Sequence, residues 1–176
     1  WVYENSVIKK NNVSQKIDFY SIKNYYASSK YLAEQVLINQ FDVKYCILRF
    51  GIIYGRRLDK PSAVEAIVKS LKKNNKIEIG SKKTMRSFIH IDDIVNSIIT
   101  SINFKNNCLA DIQGSQKITL EKIVNLTSKI LNKKIRIKEV NKKKPSIRNV
   151  LLSKRIDKID WKPNFTIKQG IRDILK

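Results

Sequence analysis

The chain has 176 residues, 42% of them hydrophobic and 29% charged, a globular composition long enough to bury a core as one domain. No apolar run approaches the ~18 residues of a membrane-spanning helix, and the opening WVYENSVIKK lacks the apolar stretch of a secretory signal. The net charge of +21 suggests nucleic acid, yet 28 of the 36 basic residues are Lys and only 8 are Arg, the residue that pairs bidentately with phosphate and guanine.

The Lys residues are spread along the chain without interleaved aromatic residues, which argues against a base-stacking surface. The runs KKTMR (82–86) and NKKK (141–144) are candidate anion sites, with a solvated surface the simpler reading of NKKK. Cys46 and Cys108 show no metal or disulfide spacing, so the expected setting is a reducing cytoplasm, with Cys46 packed inertly in an apolar strand. Trp1, rather than Met, points to a natural chain that begins earlier.

In chain order, the apolar spacing of Tyr26, Leu32, Ala33, Val36 and Leu37 predicts a helix over 24–39. YCILRF (45–50) reads as a buried parallel strand. Ser62 and Glu65 form a capping-box pattern that starts a helix near 62. KIEIG (76–80) predicts a short strand and RSFIHI (86–91) an extended segment. Asp92 or Asp93 is expected to cap a helix through Ile94, Val95, Ile98, Ile99 and Ile102. CLADI (108–112) predicts a strand, 119–131 an amphipathic helix and IRIKEV (135–140) a further strand. Thr166 and Gln169 cap a final helix. Strand–helix alternation of this kind predicts an α/β fold with parallel pairing. The five glycines (51, 55, 80, 114 and 170) include no G-x-G-x-x-G cluster, so no dinucleotide-cradling loop is present in this chain.

Tyr26 and Lys30 stand four residues apart, on one face of the predicted helix. A free phenol, with a pKa of about 10, is a poor base near neutrality. A nearby ammonium favours the phenolate, which makes the pair suitable for proton transfer to or from a hydroxyl. Alone, such a pair is more often an ordinary surface contact.

Its context carries more. Tyr26, Ser29, Lys30 and Glu34 match Y-x-x-S-K-x-x-x-E, LRFGIIYG (48–55) matches L-R-x-x-x-x-x-G, and RSFIHIDDIV (86–95) parallels R-D-F-I-H-V-D-D-V-V. WKP (161–163), followed by a helix containing Gly170, parallels G-W-x-P and a terminal helix. With these four landmarks in order along the whole chain, the sequence resembles the extended short-chain dehydrogenases/reductases, the NAD-dependent epimerase/dehydratase family. Val2-Tyr3 resembles the end of the segment that carries the family's catalytic Ser or Thr, which then falls before Trp1.

The resemblance implies the C-terminal part of a doubly wound Rossmann-like sheet plus a smaller α/β substrate-binding lobe. Residues 1–60 are then the remainder of the NAD-binding domain, and 61–176 mainly the substrate lobe, interleaved with the last sheet strands. The implied activity is redox chemistry on a nucleotide-linked sugar, a UDP- or dTDP-sugar, with NAD or NADP bound mainly outside this chain. Tyr26 is implied as the acid/base, and Lys30 as the group that tunes Tyr26 and binds the nicotinamide ribose. Arg86 and Arg148 are implied as contacts to the substrate diphosphate; for Arg148 a surface charge is an equal reading. The resemblance also implies a homodimer. Departures are Ile52 where the family has Asn, Ser87 for Asp, Asp160 for Gly and Arg56 for Pro.

Other residues take plain readings. His90, the only His, anchors a strand end and makes a poor metal site alone. Tyr25 and Tyr31 suit core or subunit contacts. The chain alone is expected to be inactive, to bind NAD weakly and to expose an apolar docking face. A non-catalytic remnant or a docking subunit of a split enzyme is the alternative, with a basic nucleic-acid module behind both.

Overall fold

The computed structural model describes residues 7–8, 16–17, 20, 22, 24–40, 42–57, 59–143 and 161–176. Two two-residue strands, β1 (Val7–Ile8) and β2 (Lys16–Ile17), pair antiparallel. Helix α1 (Tyr25–Gln40) follows, started by the Asn24 side chain, whose Oδ1 accepts from the Ala27 amide at 2.7 Å. The chain then enters β3 (Cys46–Phe50) and β4 (Ile52–Tyr54). Helix α2 (Ala63–Lys73) has Ser62 as its N-cap, as the capping pattern predicts. Its last carbonyls, on Leu71 and Lys72, accept from the Lys133 ammonium at 3.2 and 2.9 Å, a cation at the negative end of the helix.

Strands β5 (Lys76–Ile79) and β6 (Met85–His90) lead into α3 (Ile91–Ile102). Next come β7 (Cys108–Ile112), β8 (Lys117–Thr119) and α4 (Leu120–Leu131), which ends on the left-handed Asn132 (φ 51°). The described chain closes with β9 (Arg136–Glu139) and α5 (Ile167–Leu175), whose Thr166–Gln169 capping box is complete. The predicted elements are all present. Sequence reasoning did not separate β4 from the loop around it, nor find β8, β1 or β2, because each spans three residues or fewer and carries too little periodicity.

Pairing is parallel for β3 with β7, β4 with β6 and β5 with β9, and antiparallel for β6 with β8. The fold is therefore α/β, with parallel pairs joined through helices. Glu78 and Lys138 are register partners on β5 and β9, and the ammonium hydrogen-bonds the carboxylate at 2.6 Å, holding Glu78 below the usual carboxylate range.

Two apolar clusters hold these pieces together. One gathers Val64, Ile67, Val68 and Leu71 of α2 with Ile77 and Ile79 of β5, Ile123 and Val124 of α4, and Ile171 of α5. The other gathers Ile94 of α3, Ala110 and Ile112 of β7, Ile89 of β6 and Trp161, with Cys46, Leu48 and Phe50 of β3 packed against it. Strand alternation explains the division at β6: Phe88 enters the first cluster and its neighbour Ile89 the second. The same alternation points Cys46, Leu48 and Phe50 away from Arg49, which reaches α1 instead.

Candidate active site

The helix that bears Tyr26 and Lys30 is fixed by a buried ion pair. On β3, Arg49 donates from Nε to Glu34 Oε1 at 3.0 Å and from Nη2 to Glu34 Oε2 at 2.5 Å, and both residues are buried. Such a two-pronged pair fixes orientation as well as distance. Two sequence motifs thus meet: the Glu of Y-x-x-S-K-x-x-x-E and the Arg of L-R clamp helix to strand. Lys30 lies one turn N-terminal to Glu34, about 6 Å along the axis, and Tyr26 one turn further. Since α1 runs into β3, this end of α1 lies toward the carboxyl end of β3, where ligands bind in open α/β sheets.

The structure brings Tyr26 and Lys30 together. The Lys30 ammonium lies 5.6 Å from the centroid of the Tyr26 ring, and both side chains are exposed, Tyr26 to 63%. Ser29 Oγ donates to the Tyr26 carbonyl at 2.9 Å, a local helix contact. Arg86 lies on β6, half-buried, with Nη1 donating to the Met85 carbonyl at 2.8 Å. It belongs to a different sheet from the strand that anchors α1. Arg148 lies outside the described residues.

The later landmarks also meet one another. Tyr54 is fully buried, edge-on to Phe88 and to His90 at centroid distances of 6.4 and 5.3 Å. Gly170 of α5 lies against it: a Cβ there would stand 2.3 Å from the Tyr54 hydroxyl, so the helix approaches this closely only as glycine. Burial, with the charges of Asp93 and Glu65 adding to it, pushes the Tyr54 phenol well above its ordinary range. His90 stacks on Phe165 at 4.0 Å, and its Nε2 lies 3.7 Å from the Asp173 carboxylate.

His90 ends β6 and is also the N-cap of α3, its Nδ1 accepting from the Asp92 amide at 3.3 Å. The expectation that Asp92 or Asp93 caps α3 is therefore corrected. Asp93 turns inward and accepts from the amides of Asn164 and Phe165 at 2.8 and 3.1 Å, tying the R-x-F-I-H-x-D-D segment to W-K-P. The buried carboxylate thereby has both oxygens satisfied by backbone donors of the neighbouring segment. Spacing alone did not show this, because the partners lie more than 70 positions away.

Three of the four departures from the family pattern have local explanations; Asp160 lies outside the described residues. Ile52, on β4, packs against the first apolar cluster. Ser87 is buried and donates to the Gly114 carbonyl at 3.4 Å, where a Cβ on Gly114 would meet the Phe88 carbonyl. Arg56 donates to the Asp173 carbonyl and carboxylate at 2.9 and 3.1 Å, placing a cation at the C-terminal end of α5. Glu65 is fully buried and compensated by the Gly55 amide at 3.1 Å, the Arg57 guanidinium at 3.0 Å and the Ser62 hydroxyl.

The cysteines correct another expectation: Cys46 and Cys108 form a disulfide. They lie 62 positions apart but are direct register partners on β3 and β7, so their proximity follows from strand pairing rather than sequence spacing. Among the described residues no helix is long and apolar enough to cross a membrane, and no group of three His, Cys, Asp or Glu could hold a metal ion.

The NAD dependent epimerase/dehydratase family matches residues 3–110. This chain belongs to that family. Its relatives include the dTDP-4-dehydro-6-deoxyglucose reductase of Escherichia coli, 24% identical over 161 residues, which covers 86% of this chain and 51% of the relative. Among solved structures, the ADP-L-glycero-D-manno-heptose-6-epimerase of Helicobacter pylori matches the fold with a TM-score of 0.78 at 21% identity, covering 99% of this chain and 55% of that one. The UDP-glucuronic acid 4-epimerase of Bacillus cereus, solved with UDP-glucuronic acid and NAD, matches with a TM-score of 0.72 at 19% identity, covering 97% and 57%. The family member described here therefore has a Rossmann-type epimerase fold and spans about half the length of the curated relatives it matches.

Proposed function

We propose that this chain is the C-terminal part of an NAD-dependent nucleotide-sugar epimerase or dehydratase, in which Tyr26 moves the proton of a sugar hydroxyl and Lys30 tunes it. The observation that carries this reading is the exposed Tyr26–Lys30 pair on a helix pinned by the buried Glu34–Arg49 ion pair. Hydride uptake and return is the chemistry that NAD or NADP supplies when bound. The exposed Lys30 ammonium suits a hydrogen bond to the nicotinamide ribose, and the lack of a G-x-G-x-x-G cluster in residues 1–176 supports cofactor contacts made mainly outside this chain. Arg86 and Arg148 bind the substrate diphosphate, for which a guanidinium fork is suited. The UDP-sugar and NAD in the Bacillus cereus epimerase support both ligand classes.

In this reading residues 1–60 complete the cofactor-binding domain and 61–176 form mainly the substrate lobe, interleaved with the last sheet strands. The two apolar clusters support two lobes, and β7 and α3 supply the interleaving. The exposed Tyr25, Leu32 and Val36 on α1 support a homodimer, and the proposed substrate class supports a cytoplasmic setting.

Calorimetric titration with UDP-glucose and dTDP-glucose tests the substrate assignment. One of them should bind, Arg86→Leu should weaken it about 10- to 100-fold, and NAD should bind weakly. Equal affinity in the variant, or tight stoichiometric NAD binding, contradicts the assignment.

A docking subunit of a split enzyme is the second reading. It is favoured by the exposed apolar stripe of Val95, Ile98, Ile99 and Ile102 on α3, a face that a covering polypeptide would bury. Copurification with a glycine-rich partner separates it from the first.

A further inference from the structure

We propose that the Cys46–Cys108 disulfide is a reversible redox tether that sets the stability of the β3–β7 pair. The two residues open their strands and face each other in register, with Cα atoms 4.6 Å apart, inside the span a disulfide bridges. Both are half-buried, so a small thiol or disulfide reaches them, unlike the sealed side chains of Ala110 and Ile112 further along β7. They lie on the face of β3 that packs against Ile94 and Trp161, opposite the Arg49 face that pins α1. The tether therefore acts on the scaffold behind the Tyr26 helix and takes no part in chemistry there.

Backbone bonds hold the same edge without the disulfide. The Cys108 amide donates to the Tyr45 carbonyl at 3.0 Å, and the Tyr45 amide to Asn107 Oδ1 at 3.0 Å. Reduction thus loosens this joint while the five-residue parallel register remains available to hold it. The bond also closes a loop of 62 positions that contains β4, α2, β5, β6 and α3, and so restricts that part of the unfolded chain.

Formation of the bond breaks two S–H bonds and makes one S–S bond. Two electrons and two protons pass to a low-molecular-weight disulfide such as oxidised glutathione, which leaves as two thiols. Reduced glutathione in excess runs the exchange backwards.

The test is a thiol count on denatured protein, with thermal unfolding, across a series of glutathione redox buffers. Oxidised protein should show no free thiols and reduced protein two, with a midpoint inside the range the buffers cover. Reduction should lower Tm by roughly 10 °C for a loop of this length. Cys46→Ser and Cys108→Ser should each unfold near the reduced wild type and lose all response to the buffers. Two free thiols under oxidised glutathione, a bond that no glutathione buffer reduces, or equal Tm in both states would overturn the proposal. The wild-type comparison decides even where a serine variant fails to fold.

Discussion

The phenol of Tyr54 sits between Phe88, His90 and Gly170, with the charges of Asp93 and Glu65 close enough to oppose its ionisation. Its pKa in the folded chain is raised above the ~10 of an exposed phenol. The folded state therefore keeps this proton to higher pH than the unfolded state does. By linkage, the associated stability is complete below about pH 10 and is lost as pH rises beyond it. Tyr54→Phe removes the titration while keeping the ring, so its urea midpoint should fall less between pH 9 and 11 than that of the wild type. Parallel curves for the two proteins would show that Tyr54 does not titrate differently on folding. At the same scale, Gly170 is explained by one contact, since any side chain there would occupy the space of the Tyr54 ring.

Among the elements, α1 carries the proposed Tyr26–Lys30 pair and is held chiefly by charge. Its buried residues are Ala27 and Glu34, while Leu32 and Val36 remain exposed, so apolar burial contributes little to seating it. Glu34→Ala should destabilise the protein by about 3 kcal/mol, because it withdraws the carboxylate from a buried guanidinium, and should change the near-ultraviolet signal of the tyrosines on α1. Unchanged stability would mean that other contacts seat the helix. Helices α2, α4 and α5 were legible in the sequence because capping residues and apolar periodicity agreed there. Helix α3 was legible too, but its cap was not: a histidine serves, a residue type that capping preferences rank low. Asp93 fell to the competing demand of two amides in the W-K-P segment, which no local pattern encodes.

Across the whole molecule, the motif residues divide into two kinds. Glu34 with Arg49, Asp93 with the 164–165 amides, and Gly170 with Tyr54 each join two distant landmarks and build the scaffold. Tyr26 and Lys30 instead project into solvent, where a purely structural role offers little. The order of the four landmarks was readable from the sequence, but their pairing was not, because it depends on strand register. The same limit hid the disulfide, whose cysteines become neighbours only once β3 lies beside β7. The chain spans about half the length of the curated relatives it matches, and its glycines form no G-x-G-x-x-G cluster.

The most direct measurement is turnover of UDP- and dTDP-sugars with NAD or NADP, by this chain joined to a polypeptide that supplies the glycine-rich cofactor site, compared with its Tyr26→Phe variant. A fall in kcat of about 10²- to 10⁴-fold with little change in KM is expected of a lost proton relay. Equal turnover by the variant contradicts the role of Tyr26 and, with it, the proposed site.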